Sequence, residues 1–141
     1  MATAIICALL YHIVPIESIF VYSDSGKYVW VGPEFESWDK AELFCNQQFG
    51  TNLASLHSAA DQTEVQNLCA NPAATNHQCL IGLTDQYSER NFVWTDGSPY
   101  DYSYWDTNSF VNPAEDCVVI WINNGRWHDT LCSLSLIHIS E

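Results

Sequence analysis

Apolar residues recur along this chain in distinct rhythms. In SWDKAELFCNQQFG (37–50), Trp38, Ala41 and Cys45 fall at steps of three and four, the spacing of one helical face. Ser37 suits the N-cap, Asp39 the first turn, and Gly50 a left-handed stop. After the short link TNLASLH, the stretch SAADQTEVQNLC opens with Ser58 and Asp61 at capping-box spacing. It predicts a second helix with Val65 and Leu68 turned inward. The rhythm changes at Cys79. CLIGLTD is a compact apolar run, NFVWTDG alternates with period two, and Asp96-Gly97 marks a turn. CVVIWI reads as a buried strand, Asn123-Asn124-Gly125 as a hairpin turn, and RWHDTLC as the returning strand. Upstream, the β-branched and aromatic run Tyr28–Val31 reads as a further strand. Residues 98–116 carry few aliphatics and many Tyr, Asn, Ser and Asp. Ordered loops of this length usually carry function. The pattern predicts an α+β domain, two helices packed on antiparallel sheets with a long polar loop.

Composition narrows the function. A length of 141 residues suits one domain, and 48% hydrophobic content is enough for a core. Seventeen acids against four bases give a net charge of −13. That excess repels nucleic acid and anionic membrane surfaces, and offers carboxylates to cations such as calcium. Six cysteines point to an oxidising compartment, and so to a secreted or extracellular protein. No C-x2-C pair occurs and the histidines are scattered, so the cysteines do not read as a zinc site.

Both ends stand apart. Residues 1–20 begin with an apolar run, ATAIICALL, and are interrupted by His12, Pro15 and Glu17. That interruption argues against a membrane span. Two readings remain, a secretory signal peptide or translated upstream sequence. Cys7 lies there and is left out of the disulfide accounting. The last residues, LSLIHISE (134–141), resemble the translation of a sequencing adapter; the alternative is an ordinary apolar strand. The domain is therefore expected over 21–133.

The segments WDKAELFC (38–45), LIGLTD (80–85), FVWTDGSPYDYSYW (92–105), EDC (115–117) and WHD followed by Cys132 occur in this order. In that order and spacing they resemble the C-type lectin-like family, and the match runs from about Tyr28 to Cys132. The resemblance implies a disulfide between Cys117 and Cys132. It also implies one from Cys45 to a C-terminal cysteine that this sequence lacks, so Cys45 is expected to be a free, buried thiol. Cys69 and Cys79 bracket ANPAATNHQ and are expected to form an extra local disulfide.

Calcium takes six to eight oxygen ligands. The resemblance assigns an auxiliary calcium site to Asp85, Glu89 and Asp116, with Asn112 able to add an amide oxygen. At the family's primary, sugar-chelating site, Glu115 and Asp129 match. The loop tripeptide that should complete it falls on Ser109, Phe110 and Val111, of which only Ser109 offers an oxygen. Asn112, before Pro113, is a displaced candidate. His128 stands where an asparagine is usual, and imidazole suits zinc or copper better than calcium. Trp105 is the candidate aromatic for stacking on a sugar ring. Two readings follow. One is a calcium-supported glycan-binding module using a modified loop. The other is a calcium-stabilised domain that binds a protein or other non-sugar ligand. No nucleophile-and-base pattern or phosphate loop suggests an enzyme.

Overall fold

The computed structural model describes residues 3–8, 19–35, 37–71, 78–110 and 112–133. The expected tail, 134–141, lies outside them. Seven strands and two helices run in the order β1 (Thr3–Ala8), β2 (Ile19–Tyr22), β3 (Tyr28–Phe35), α1 (Trp38–Phe49), α2 (Ala59–Cys69), β4 (Gln78–Thr84), β5 (Val93–Trp94), β6 (Cys117–Trp121) and β7 (Trp127–Thr130). They form one sheet in the order β2-β3-β1-β4-β6-β7, with β5 added against β4. All pairings are antiparallel except β1 with β4, so the sheet is mixed rather than purely antiparallel as expected.

The sheet is covered on both faces, which is why its strands read as unbroken apolar runs. Ile6, Trp30, Ile81 and Ile120 join Val65 and Leu68 of α2 in one core cluster. Ile5, Val31, Leu80 and Val119 join Trp38, Ala41 and Cys45 of α1 in the other. Successive strand residues thus serve opposite helices. The helix ends follow the sequence. Ser37 accepts from Lys40 N, and Gly50 sits at φ 69°. Ser58 accepts from Asp61 N, but Asp61 returns its bond to His57 N rather than to the capping residue, and also pairs with Lys27. Polar side chains position the rest. Glu42 of α1 takes the amide of Leu53, and buried Gln62 of α2 clasps Gly125 O and Trp127 Nε1 of the last hairpin.

The largest departure from the sequence reading is at the N-terminus. Part of the segment expected to be a leader forms β1, inserted between β3 and β4, with Ile5 opposite Val31 and Ile6 opposite Trp30. Cys7 thereby faces α1 and forms a disulfide with Cys45. The expectation that Cys45 is a free thiol, with Cys7 outside the accounting, is corrected: Cys7 of β1 is its partner. The structure also joins Cys69 to Cys79 and Cys117 to Cys132.

Residues 7 and 45 are 38 apart in sequence. Opening a loop of that size costs about 3–4 kcal/mol in the chain-entropy model. Replacing both cysteines with alanine is expected to lower the unfolding free energy by about that amount, read from denaturant titration. Peptide mapping without reductant should recover a Cys7–Cys45 cross-link in the parent chain; a free thiol at Cys45 would overturn the assignment.

Candidate metal and ligand site

Where β4 ends, the backbone N–H of Asp85 bonds to Asp116 O at 3.0 Å, and Thr84 Oγ1 donates to the same carbonyl at 2.6 Å. These bonds bring the start of β6 against the turn after β4. As a result the carboxylate oxygens of Asp85, Glu89 and Asp116 all lie within 4.8 Å of one another. Asp85 is 3% exposed. Its Oδ2 accepts from Arg90 N at 2.8 Å, while Oδ1 is buried without a hydrogen-bond partner. A bare buried carboxylate oxygen costs roughly 1–3 kcal/mol unless something positive meets it. The observation fits a hard cation among these groups.

The electrostatics agree. Burial, then the charge of Asp85, then a hydrogen bond to Asp85 and the charges of Glu89 and Asp129, hold the Asp116 carboxyl above its ordinary value of 3.8. Burial and then Asp129 raise Glu115 in the same way. Carboxylates crowded in this manner resist ionising together.

The other expected site residues divide. Asp129 lies close enough to raise both Glu115 and Asp116, but its Oδ1 accepts from the backbone N–H of Phe110 at 3.2 Å. Asn112 is exposed and spends its Oδ1 on Ala114 N at 3.0 Å, within its own turn. Ser109 donates its hydroxyl to Trp127 O at 3.2 Å. Trp105 donates Nε1 to Tyr100 and packs against Phe92, Phe110 and Trp127, with ring centroids 4.6–5.6 Å apart. It is half-buried and belongs to the core wall more than to an open stacking face. His128 is 9% exposed and stacks on Trp121 at 3.5 Å and 13°. Burial pulls its pKa below the ordinary 6.5, outweighing the opposite pull of Asp106 and Asp129.

Two residues missed by the sequence reading link these parts. Arg90 and Phe110 are the non-glycine residues with positive φ, 65° and 73°. Arg90 donates from its backbone to Asp85 and from its guanidinium to Phe110 O at 2.9 Å, and the guanidinium lies 4.8 Å from the centre of the Phe110 ring. A continuous chain of contacts therefore runs Asp85–Arg90–Phe110–Asp129. Nothing in the residue types announces it, since both residues seldom adopt that backbone region.

Ser55, His57 and Asp101 form a second unforeseen set. His57 Nδ1 lies 2.8 Å from Asp101 Oδ1, and Nε2 lies 3.2 Å from Ser55 Oγ. This order of contacts is that of a charge relay, but Ser55 gives its hydrogen to Asp96 Oδ2 at 2.6 Å. The hydroxyl so turned has no proton for the imidazole to remove, and the set works as a clasp between the inter-helix link and the long loop.

The fold is an α+β domain closed by disulfides, with an acidic cluster beside a long loop. A family model for the lectin C-type domain matches residues 34–139, and the chain belongs to that family. The versican core protein of Rattus norvegicus is 41% identical over 106 residues, which are 72% of this chain and 4% of that protein. A C-type lectin mannose-binding isoform from Oxyuranus scutellatus is 34% identical over 104 residues, 70% of this chain and 66% of the relative. The crystal structure of a calcium-independent type II antifreeze protein superposes with a TM-score of 0.61 at 26% identity, covering 70% of this chain and 72% of the other. The chain thus spans only a small part of the versican core protein that it matches. Among the described residues, no helix is long and apolar enough to cross a membrane.

The raised pKa of Asp116 has a consequence with a definite sign. An acid whose folded pKa exceeds its unfolded one costs nothing while protonated in both states, and destabilises the fold as pH climbs from the unfolded value through the folded one. In metal-free protein the contribution of Asp116 is therefore expected to fall as pH rises above about 4, opposite in sign to that of His128, whose lowered pKa favours the fold as pH rises toward 6.5. Asp116→Asn should flatten that part of the profile, measured by thermal unfolding in chelator across pH 4–7. A profile unchanged by the substitution would count against crowding of these carboxylates.

Proposed function

We propose that this chain is an extracellular recognition domain, stabilised by calcium at Asp85, Glu89 and Asp116, whose ligand is not held by calcium chelation. The buried, unpartnered Oδ1 of Asp85 supports the calcium. The Phe110 N–H directed at Asp129 supports the rest. A backbone donor stands where a sugar-chelating site needs an oxygen ligand, and Asn112 and Ser109 turn their oxygens elsewhere. Calcium would supply positive charge to three crowded carboxylates, and through Arg90 it would steady the loop that carries Phe110.

The ligand class that fits is a protein surface. Tyr100 is exposed at the mouth of the loop and Trp121 at the end of β6, and aromatic side chains of this kind anchor protein interfaces. The disulfides are consistent with secretion. Glycan binding without chelation is the second reading, favoured by the same exposed rings, which can stack on a sugar. The chain is similar both to a mannose-binding lectin isoform and to a calcium-independent antifreeze protein, so similarity alone does not decide the ligand.

Millimolar calcium is expected to raise the melting temperature, and Asp85→Asn should abolish the rise; calorimetry with and without chelator reads both. On a glycan array, calcium and chelator should give the same result. A glycan signal that needs calcium would overturn the non-chelating reading while leaving the stabilising ion intact.

A further inference from the structure

A second, chemically different pair of metal-ligating atoms lies on the last hairpin. His128 Nε2 is buried and has no hydrogen-bond partner, although Asp106 Oδ2 is only 3.4 Å away. A charge-assisted N–H···O bond closes to about 2.7–2.9 Å in line, so this contact is too long and misaligned to be one. The separation instead matches the edge of a tetrahedral site. Zinc bonds of about 2.0–2.1 Å to nitrogen and 2.0–2.2 Å to oxygen place two ligand atoms about 3.3 Å apart.

Both groups are held in place without reference to each other. Trp121 lies parallel to the imidazole at 3.5 Å and fixes its plane. Asp106 N donates to Trp127 O at 3.0 Å, and its Oδ1 accepts from Asn108 N at 3.1 Å, leaving Oδ2 facing the ring. The remaining polar contact of Oδ2 is with Asn124 Nδ2, at a long 3.4 Å. Asp129, next along β7, adds negative charge near the imidazole.

We infer that His128 Nε2 and Asp106 Oδ2 form a binding site for a borderline divalent transition metal, zinc or copper, separate from the all-oxygen cluster at Asp85. The nitrogen ligand selects against calcium. Because Nε2 is buried, the ion enters only as the hairpin edge opens, and water or a donor atom of a bound partner then completes its shell. The inference does not rest on the calcium reading, since it uses neither Asp85, Glu89 nor Asp116.

The test uses copper(II) alone, added to the full chain in saturating calcium. A paramagnetic ion on His128 sits beside the indole of Trp121 and quenches its emission. The expected result is saturable quenching at one equivalent, unaffected by further calcium and reversed by zinc. His128→Ala should abolish it, and Asp106→Asn should weaken it at least tenfold. Trp121→Phe should reduce the amplitude while copper still binds. Because His128→Ala removes a buried ring from the hairpin, imidazole resonances of the parent chain are followed as well, and those of His128 should shift first on adding zinc. Equal quenching in parent and His128→Ala chains, or zinc shifts confined to other histidines, would overturn the site.

Discussion

Three carboxylates share a space in which their like charges repel. Asp85, Glu89 and Asp116 lie within 4.8 Å, and Asp85 is almost wholly buried. In water, unit charges about 4 Å apart interact by only about 1 kcal/mol, but at a partly buried site the figure rises to about 4 kcal/mol. The backbone does not let the groups separate, because Asp85 N and Thr84 Oγ1 both bond to Asp116 O. The structure has two ways out, protonation of Asp116 or a bound cation. The first explains its raised pKa; the second is the functional reading.

What happens at that cluster reaches the ligand loop through two strained residues. Positive φ in arginine or phenylalanine costs of order 1–3 kcal/mol each and persists only where surroundings enforce it. Here the enforcing contacts are mutual. Arg90 is pinned by Asp85, and Phe110 is pinned by Arg90 on its carbonyl and by Asp129 on its amide. The acidic cluster and the long loop are thereby joined by an unbroken run of contacts.

Much of this was legible in advance, for identifiable reasons. The helices declared themselves because Ser37, Ser58 and Gly50 are capping residues whose side chains or backbone freedom act locally. The acidic cluster was legible only through family resemblance, since Asp85 and Asp116 are distant in sequence and meet through sheet pairing. β1 was not legible. A short apolar run such as TAIICA suits both a leader and a strand buried on two faces, and periodicity cannot separate them. What places it in the sheet is long-range pairing: Cys7 lies in register with Val29, on the face that carries Cys45.

The loop shows why matching ligand types is a weaker guide than following their hydrogen bonds. Glu115 and Asp129 both match the family's sugar site by type and position. Yet Asp129 already accepts an N–H from Phe110, and a carboxylate oxygen occupied by a donor is less available to a cation. Asn112, the displaced candidate, has the right oxygen and turns it to Ala114 N. A backbone donor, Phe110 N, meets Asp129 in that space. The polarity of that space is therefore partly inverted from oxygen-rich to N–H-bearing, while the cradle at Asp85 keeps its unmet oxygen. On the proposed reading, the two roles a calcium ion can play, holding a loop and holding a ligand, come apart, and Asp85, Glu89 and Asp116 serve the first.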